Sequence, residues 1–295
     1  MKGFCILNKP VGITSFDAIK QTKIILKQKE NILEKRVGHA GTLDPFADGV
    51  LILAFGRYTK LFFLFDDLNK EYIASGIFGE SRDTDDIEGN TIKTSNNNNK
   101  LSFEELENII KTNFKGNIKQ KPPIYSAKKI NGKRAYDLAR DNKSFELKDV
   151  DVCIEKIELL EYDYPYFKIK TSVSKGTYIR SIIRDIGEIT GNLAYTKELK
   201  RVSIGNYNID MSCNIEDINK NKILSFFYMF KNFDKTIIED ASDIRQILCG
   251  NTKTIEKIKV NNKYMALTDN KNNLLAIIEK NITDKNNKYA FIDIE

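Results

Sequence analysis

The stretch from Arg36 to Phe55, RVGHAGTLDPFADGVLILAF, constrains this chain more than any other. Its second half, Val50-Leu51-Ile52-Leu53-Ala54-Phe55, is an unbroken apolar run of strand length and reads as a buried strand. Its first half is polar and broken by Gly38, Gly41 and Gly49. It holds the only histidine of the chain, His39, and an aspartate, Asp44, five residues later. A polar loop delivered straight into a core strand is how a fold keeps a reactive side chain on a rigid base. The glycines open backbone angles closed to other residues and let a ligand approach closely. Pro45 steers Asp44 away from helix towards an extended conformation. On spacing alone a turn aspartate explains the same residues, since Asp and Gly punctuate turns generally.

A chain of 295 residues suffices for one large domain and a small one. No apolar run reaches the ~18–20 residues of a membrane span, and the apolar stretch in MKGFCILNKP is too short for a signal peptide. The expectation is a cytoplasmic protein. Cys5, Cys153, Cys213 and Cys249 lie far apart, with no CxxC pair and one histidine, which argues against structural zinc. In a reducing compartment they read as free core thiols. Net charge is only +6, but Lys111–Lys148 carries eleven Lys/Arg against three Asp/Glu, and Lys168–Arg201 eight against three. A basic face on an otherwise acidic body suits a polyanion; a solvated lysine surface would look the same.

Taken in order, Phe4–Leu7 reads as a strand, and Thr14 or Ser15 as the cap of a helix to about Lys29 with Phe16, Ile19 and Ile24 on one face. Tyr58–Leu68 reads as an apolar helix, and Lys70 to Phe78 as a strand. Gly79–Gly89 is an acidic turn; Asp83, Asp85 and Asp86 fail the calcium-loop pattern at Ile87. Thr94–Lys100 is a polar insert, and Ser102 with Glu105 forms a capping box for a helix to Phe114. A basic loop follows at Gln120–Lys129, then a short helix at Tyr136–Arg140. Val150–Leu160 and Tyr166–Val173 read as paired strands. The next segment, SKGTYIR, reads as a strand passing into a helix with Thr177 as its cap. Ile215 to about Lys235 reads as helical and connecting. Beyond Asp240, short strand-like runs at Ile255–Val260, Tyr264–Leu267, Leu274–Ile278 and Tyr289–Ile294 fit a small C-terminal β-barrel.

Four strings together resemble the TruB family of tRNA pseudouridine synthases: KPVGITS at Lys9–Ser15, GHAGTLDP with ADGVL from Gly38 to Leu51, PPIYSAKK at Pro122–Lys129 with Gly132 and Tyr136 in register, and SKGTYIR at Ser174–Arg180. A looser match runs through Gly79–Gly89, where Arg82 replaces the family's usual Thr, and another through Glu198–Val202. The resemblance spans most of Phe4 to Val202. It implies an α+β fold, a catalytic domain with a mixed, mainly antiparallel sheet flanked by helices over residues 1–238. It further implies a small PUA-like RNA-binding barrel over 239–295. By the same resemblance Asp44 is the catalytic aspartate and Arg180 its partner. The flipped uracil stacks on Tyr72, His39 and Tyr178 contact the nucleotide, Leu199 forms an apolar wall, and Lys9 lies near the site.

The activity implied is isomerisation of the uridine at position 55 in the TΨC loop of tRNA to pseudouridine. No cofactor, metal, membrane or protein partner is implied, and the expected state is a monomer. The chemistry itself asks for a carboxylate held ionised by a cation, which Asp44 and Arg180 can supply, and for a base taken out of its stack. Two other classes compete: a tRNA-binding or folding protein without catalysis, and a metal-dependent phosphodiesterase on Asp83, Asp85 and Asp86.

Overall fold

The computed structural model describes residues 1–95, 100–126, 128–130, 132–140, 145, 147–280 and 287–293. Most of the polar insert at 94–100, and Ala127 of the basic loop, lie outside these residues. In chain order the first half contains β1 (Gly3–Lys9), α1 (Ser15–Glu30), β2 (Val37–Ala40), β3 (Asp48–Phe55), a 3-10 helix (Gly56–Phe65), β4 (Lys70–Phe78), β5 (Glu80–Arg82), β6 (Thr91–Thr94), α2 (Phe103–Phe114) and β7 (Gly116–Gln120). Then come β8 (Lys129–Ile130), β9 (Lys133–Arg134), α3 (Ala135–Arg140), β10 (Val150–Asp163), β11 (Tyr166–Val173), α4 (Ile179–Thr190), β12 (Ala194–Ile204) and β13 (Tyr207–Asn208). The chain ends with α5 (Phe226–Met229), β14 (Lys235–Ile237), α6 (Ala241–Leu248), β15 (Tyr264–Thr268), β16 (Leu274–Glu279) and β17 (Lys288–Ile292).

The apolar run does form a buried strand, β3, and the sheet is laid out around it. β1 pairs antiparallel along its whole length, from Gly3 opposite Phe55 to Lys9 opposite Gly49. On its other side β2 takes the C-terminal half and β12 touches the N-terminal end, the one parallel pairing of this sheet. The main order is β1-β3-β12-β4-β11-β10-β7, with every other pairing antiparallel. This is the mixed, mainly antiparallel α+β sheet expected.

β3 reads as continuously apolar because both of its faces are covered. Val50, Ile52 and Ala54 point into a core with the 3-10 helix, while Leu51, Leu53 and Phe55 point into a core with α1. Further along the sheet, α2 supplies Leu106, Ile110 and Phe114, and α4 supplies Ile182, Ile183 and Ile186, to a third core on β4, β10, β11 and β12. The capping box of α2 is present as expected, with Ser102 Oγ accepting from Glu105 N and Glu105 accepting from Ser102 N. Thr14 and Asp17 form a second one at α1.

Several expectations are corrected. α1 buries Ser15, Ala18, Ile19, Thr22 and Leu26, and turns Phe16 and Ile24 outward. The Tyr58–Leu68 segment is a 3-10 helix that begins earlier and stops at Phe65. Thr177 is not the cap of α4: its hydroxyl turns back to the Ser174 carbonyl, and Tyr178 occupies the cap. Between 215 and 235 the chain makes short 3-10 turns and the four-residue α5 rather than one helix. Ile255–Val260 forms no strand, although Ile255 and Val260 are buried.

The C-terminal sheet has the order β14-β15-β16-β17, and among the described residues it does not close into a barrel. Its first strand, Lys235–Ile237, lies ahead of residue 239. One face packs under α6 through Met265, Leu267 and Ile278. The other shares a core with the first sheet: Ala266, Ile277 and Phe291 lie in one cluster with Phe4, Tyr58 and Phe226. Among the described residues no helix is long and apolar enough to cross a membrane.

Candidate active site

Asp44 sits on a loop whose backbone is held from four directions. The Ser15 hydroxyl accepts from Leu43 N and donates to the Leu43 carbonyl. Gly12 N donates to the Pro45 carbonyl at 2.8 Å. The Lys9 ammonium, fully buried, donates to the carbonyls of Pro10 and Ile13 at 2.8 Å and lies 3.4 Å from that of Pro45. Desolvation lowers the Lys9 pKa to about 8, with Asp48 and Asp44 pulling the other way. From β12, Arg201 donates to the carbonyls of Val50 at 2.7 Å, Gly41 at 3.0 Å and Thr42 at 3.4 Å, so one guanidinium ties both ends of the loop to the sheet. Gly49 makes room for this. Its φ is +110°, and a Cβ there would collide with the Arg201 carbonyl.

Arg180, on the first turn of α4, is 5 % exposed, and each of its three nitrogens meets an oxygen. Nε meets Asp44 Oδ2 at 3.1 Å and Nη2 meets Asp44 Oδ1 at 3.4 Å. Nη2 also donates to the Tyr125 carbonyl at 3.0 Å, and Nη1 donates to the Thr84 carbonyl at 2.8 Å and to Asp86 Oδ2 at 2.9 Å. The two catalytic residues expected from the sequence are thus in contact across 136 positions. Asp86 completes the array; on sequence alone it reads as part of an acidic turn and as a candidate metal ligand, not as a partner of Arg180. Burial pushes the Asp44 pKa up, and the Arg180 guanidinium opposes that shift.

The segment around Asp86 is itself braced. Thr84 Oγ1 donates to Asp86 Oδ1 at 2.6 Å, Arg184 pairs with Asp85 at 2.9 Å, and Asp83 accepts from Asn90 N at 2.8 Å. The three carboxylates therefore face three different partners rather than one ion. Arg82, where the family more often has Thr, stacks on Tyr195 at 4.0 Å and donates to Glu80 and to the Ile87 carbonyl. Gln120 is a second residue that sequence reasoning missed. It is fully buried, and its amide clamps the Tyr178 backbone, accepting from N at 2.8 Å and donating to O at 3.0 Å.

Asp44 and Arg180 open into a cavity of about 880 Å³. Its lining gathers His39, Tyr72, Tyr178 and Leu199 as expected, together with Phe16, Lys70 and Lys175. Tyr72 and Leu199 are 8 % and 6 % exposed, so they form wall rather than rim. Burial raises the Tyr178 phenol and, with Arg201 nearby, lowers His39, so the imidazole is neutral near pH 7. His39 Nδ1 is buried without a hydrogen-bond partner. Lys9 alone of the expected set does not line the cavity; it lies beneath the Asp44 loop. The cavity is lined by a carboxylate anchored on Arg180, by aromatic and apolar side chains, and by the ammonium groups of Lys70 and Lys175, the latter paired with Asp66 at 2.6 Å.

A family profile described as TruB family pseudouridylate synthase (N terminal domain) matches residues 28–179. A tRNA pseudouridine synthase B of Fusobacterium nucleatum is 39% identical over 98% of this chain and 100% of its own length. The protein of the same name from Clostridium acetobutylicum is 37% identical over 90% and 91%. Among solved structures, a Cbf5-Nop10-Gar1 complex aligns over 99% of this chain and 84% of that one, with TM-score 0.69 at 22% identity, a likeness of fold. The chain belongs to the TruB family of pseudouridylate synthases.

Proposed function

We propose that the chain converts the uridine at position 55 in the TΨC loop of tRNA to pseudouridine, with Asp44 as the catalytic carboxylate. The observation that carries this reading is the forked Arg180–Asp44 contact at the floor of a cavity walled by Tyr72, Tyr178 and Leu199. Extruding a base costs a few kcal/mol. Stacking on Tyr72 and contact with Leu199 offset part of it. Arg180 orients the carboxylate and opposes its protonation, so Asp44 meets the reacting nucleoside as an anion. The bond between base and sugar then breaks, the base turns, and carbon replaces nitrogen as the link. His39 contacts the nucleotide as a neutral group. Lys70 and Lys175 at the edge suit backbone phosphates. The C-terminal sheet, β14 to β17, serves as a PUA-like RNA-binding unit, and the protein works as a cytoplasmic monomer.

The test is carbodiimide-based pseudouridine mapping of tRNA incubated with the purified protein and no added cofactor. A new stop at position 55 is expected. Binding without any stop would favour a tRNA-folding role; strand cleavage abolished by EDTA would favour a phosphodiesterase.

A further inference from the structure

Cys5 and Cys213 are 208 positions apart, yet their sulfurs lie 3.7 Å from one another. Both belong to the core shared with Leu7, Leu51 and Ile215. Backbone pairing holds them there: Cys213 N donates to the Ile6 carbonyl at 3.0 Å, and Asn8 N donates to the Cys213 carbonyl at 2.8 Å. Leu7 and Cys213 form a parallel bridge, and Cys5, two residues along β1, faces the same side. The two residues are therefore brought side by side by the chain path.

From this arrangement we infer that Cys5 and Cys213 form a redox-modifiable pair, which hydrogen peroxide converts to an intramolecular disulfide. The two thiols are unequal. Cys5 is fully buried, and its hydrogen bond with Cys213, followed by burial, raises its pKa. Cys213 is 8 % exposed, and the Cys5 hydrogen bond, with Lys222 nearby, favours its thiolate. Cys213 is thus the attacking sulfur. Its thiolate forms an S–O bond as the peroxide O–O bond breaks, and the departing hydroxide takes up a proton to become water. Cys5 then attacks the resulting sulfenic sulfur; an S–S bond forms, the S–O bond breaks, and the second oxygen leaves as water with the remaining protons. Two thiols and one peroxide give one disulfide and two waters. The sulfurs must close by about 1.6 Å to reach bonding distance, within reach of side-chain rotation. Cys153 is half-buried and Cys249 exposed; neither faces a second thiol among the described residues.

Closing this link staples β1, which leads directly to Lys9 and the Asp44 loop, to the segment after β13. The experiment treats the full chain, natively folded, with hydrogen peroxide. The intact mass should fall by two hydrogens, accessible thiols in denaturant should fall from four to two, and a non-reducing digest should yield one linked peptide pair containing Cys5 and Cys213. Dithiothreitol should reverse all three changes, and Cys213→Ser should abolish the linked pair. The inference is overturned if peroxide adds oxygen to Cys213 without linking it, if Cys249 is consumed first with no Cys5–Cys213 peptide, or if the pair links only after unfolding. Should Cys213→Ser not fold, the wild-type digest decides alone.

Discussion

Asp44 is positioned by its surroundings more than it is stabilised by them. Partial burial raises its pKa and the Arg180 grip on both of its oxygens opposes that shift, while 34 % of its side-chain surface stays open. Asp44→Asn should therefore abolish tritium release from 5-tritiated uridine tRNA, leave RNA affinity within about twofold, and leave the melting temperature at or above wild type. A clearly lower melting temperature would mean the ion pair holds the fold. Arg180 answers differently. Arg180→Ala strands Asp86, whose side chain is 4 % exposed, without its cation. Breaking a buried pair from one side costs about 3–5 kcal/mol, so urea unfolding should shift strongly. Arg180→Lys should not restore activity, because a single ammonium cannot serve two carboxylates and two carbonyls in one plane. Phe16 is the third residue with a distinct expectation. Its ring is 61 % exposed on the cavity wall, with Lys20 Nζ 4.7 Å from the ring centre. If it stacks on an unpaired base, Phe16→Ala should weaken binding of a T-stem-loop RNA by about 1–3 kcal/mol, while the melting temperature stays put. Unchanged affinity by fluorescence anisotropy would make Phe16 a bystander.

The segment from Glu80 to Gly89 carries a pH dependence of its own. Burial, opposed by Arg184, raises the Asp85 pKa to about 6, against ~3.9 in an unfolded chain. Between those values the folded protein holds a proton at Asp85 that the unfolded chain has released. This residue therefore makes unfolding free energy fall as pH rises through that window, by at most about 3 kcal/mol. Asp85→Asn removes the effect. Urea melts at pH 4, 5, 6 and 7 should show the variant gaining on wild type up to about pH 6 and running parallel above it; a constant gap across the series would contradict the shift. At this scale the reach of sequence reasoning is uneven. α2 and β3 were legible because a capping box and a run of apolar residues are local signals. The buried face of α1 was not, because the sheet is met through small and polar residues, Ser15, Ala18 and Thr22, while its larger Phe16 faces the cavity. That Asp44, Arg180, His39 and Tyr178 share one cavity was legible through whole motifs, and that Leu199 and Tyr72 join them through looser likeness to the family. Asp86, Arg201 and Gln120 were not, since each works on a backbone or a charge brought close only by folding.

At the scale of the whole molecule, the two sheets share their interior. Phe291 of β17 is 4 % exposed and meets Tyr58 edge-on at 6.2 Å, inside the cluster that holds Phe4 of β1. Arg57 on the 3-10 helix donates to the Ile292 carbonyl at 2.8 Å, and Lys2 pairs with Asp293 at 2.9 Å. Removing the chain beyond residue 240 would thus expose Phe4, Tyr58 and Phe226 as well as deleting the proposed RNA-binding unit. A loss of affinity in such a truncation could not be assigned to either cause alone. A point change inside the shared core separates them. Phe291→Ala should cost about 3–5 kcal/mol and lower a single calorimetric transition, because the cavity opens against both sheets at once. Hydrogen exchange gives the sharper reading. Amides of β1 and β3 should lose protection in step with those of β15 and β16, by the same free energy. If the amides of β1 and β3 instead kept wild-type protection while those of β15 and β16 opened, the C-terminal sheet would be a separate cooperative unit resting on a finished catalytic fold.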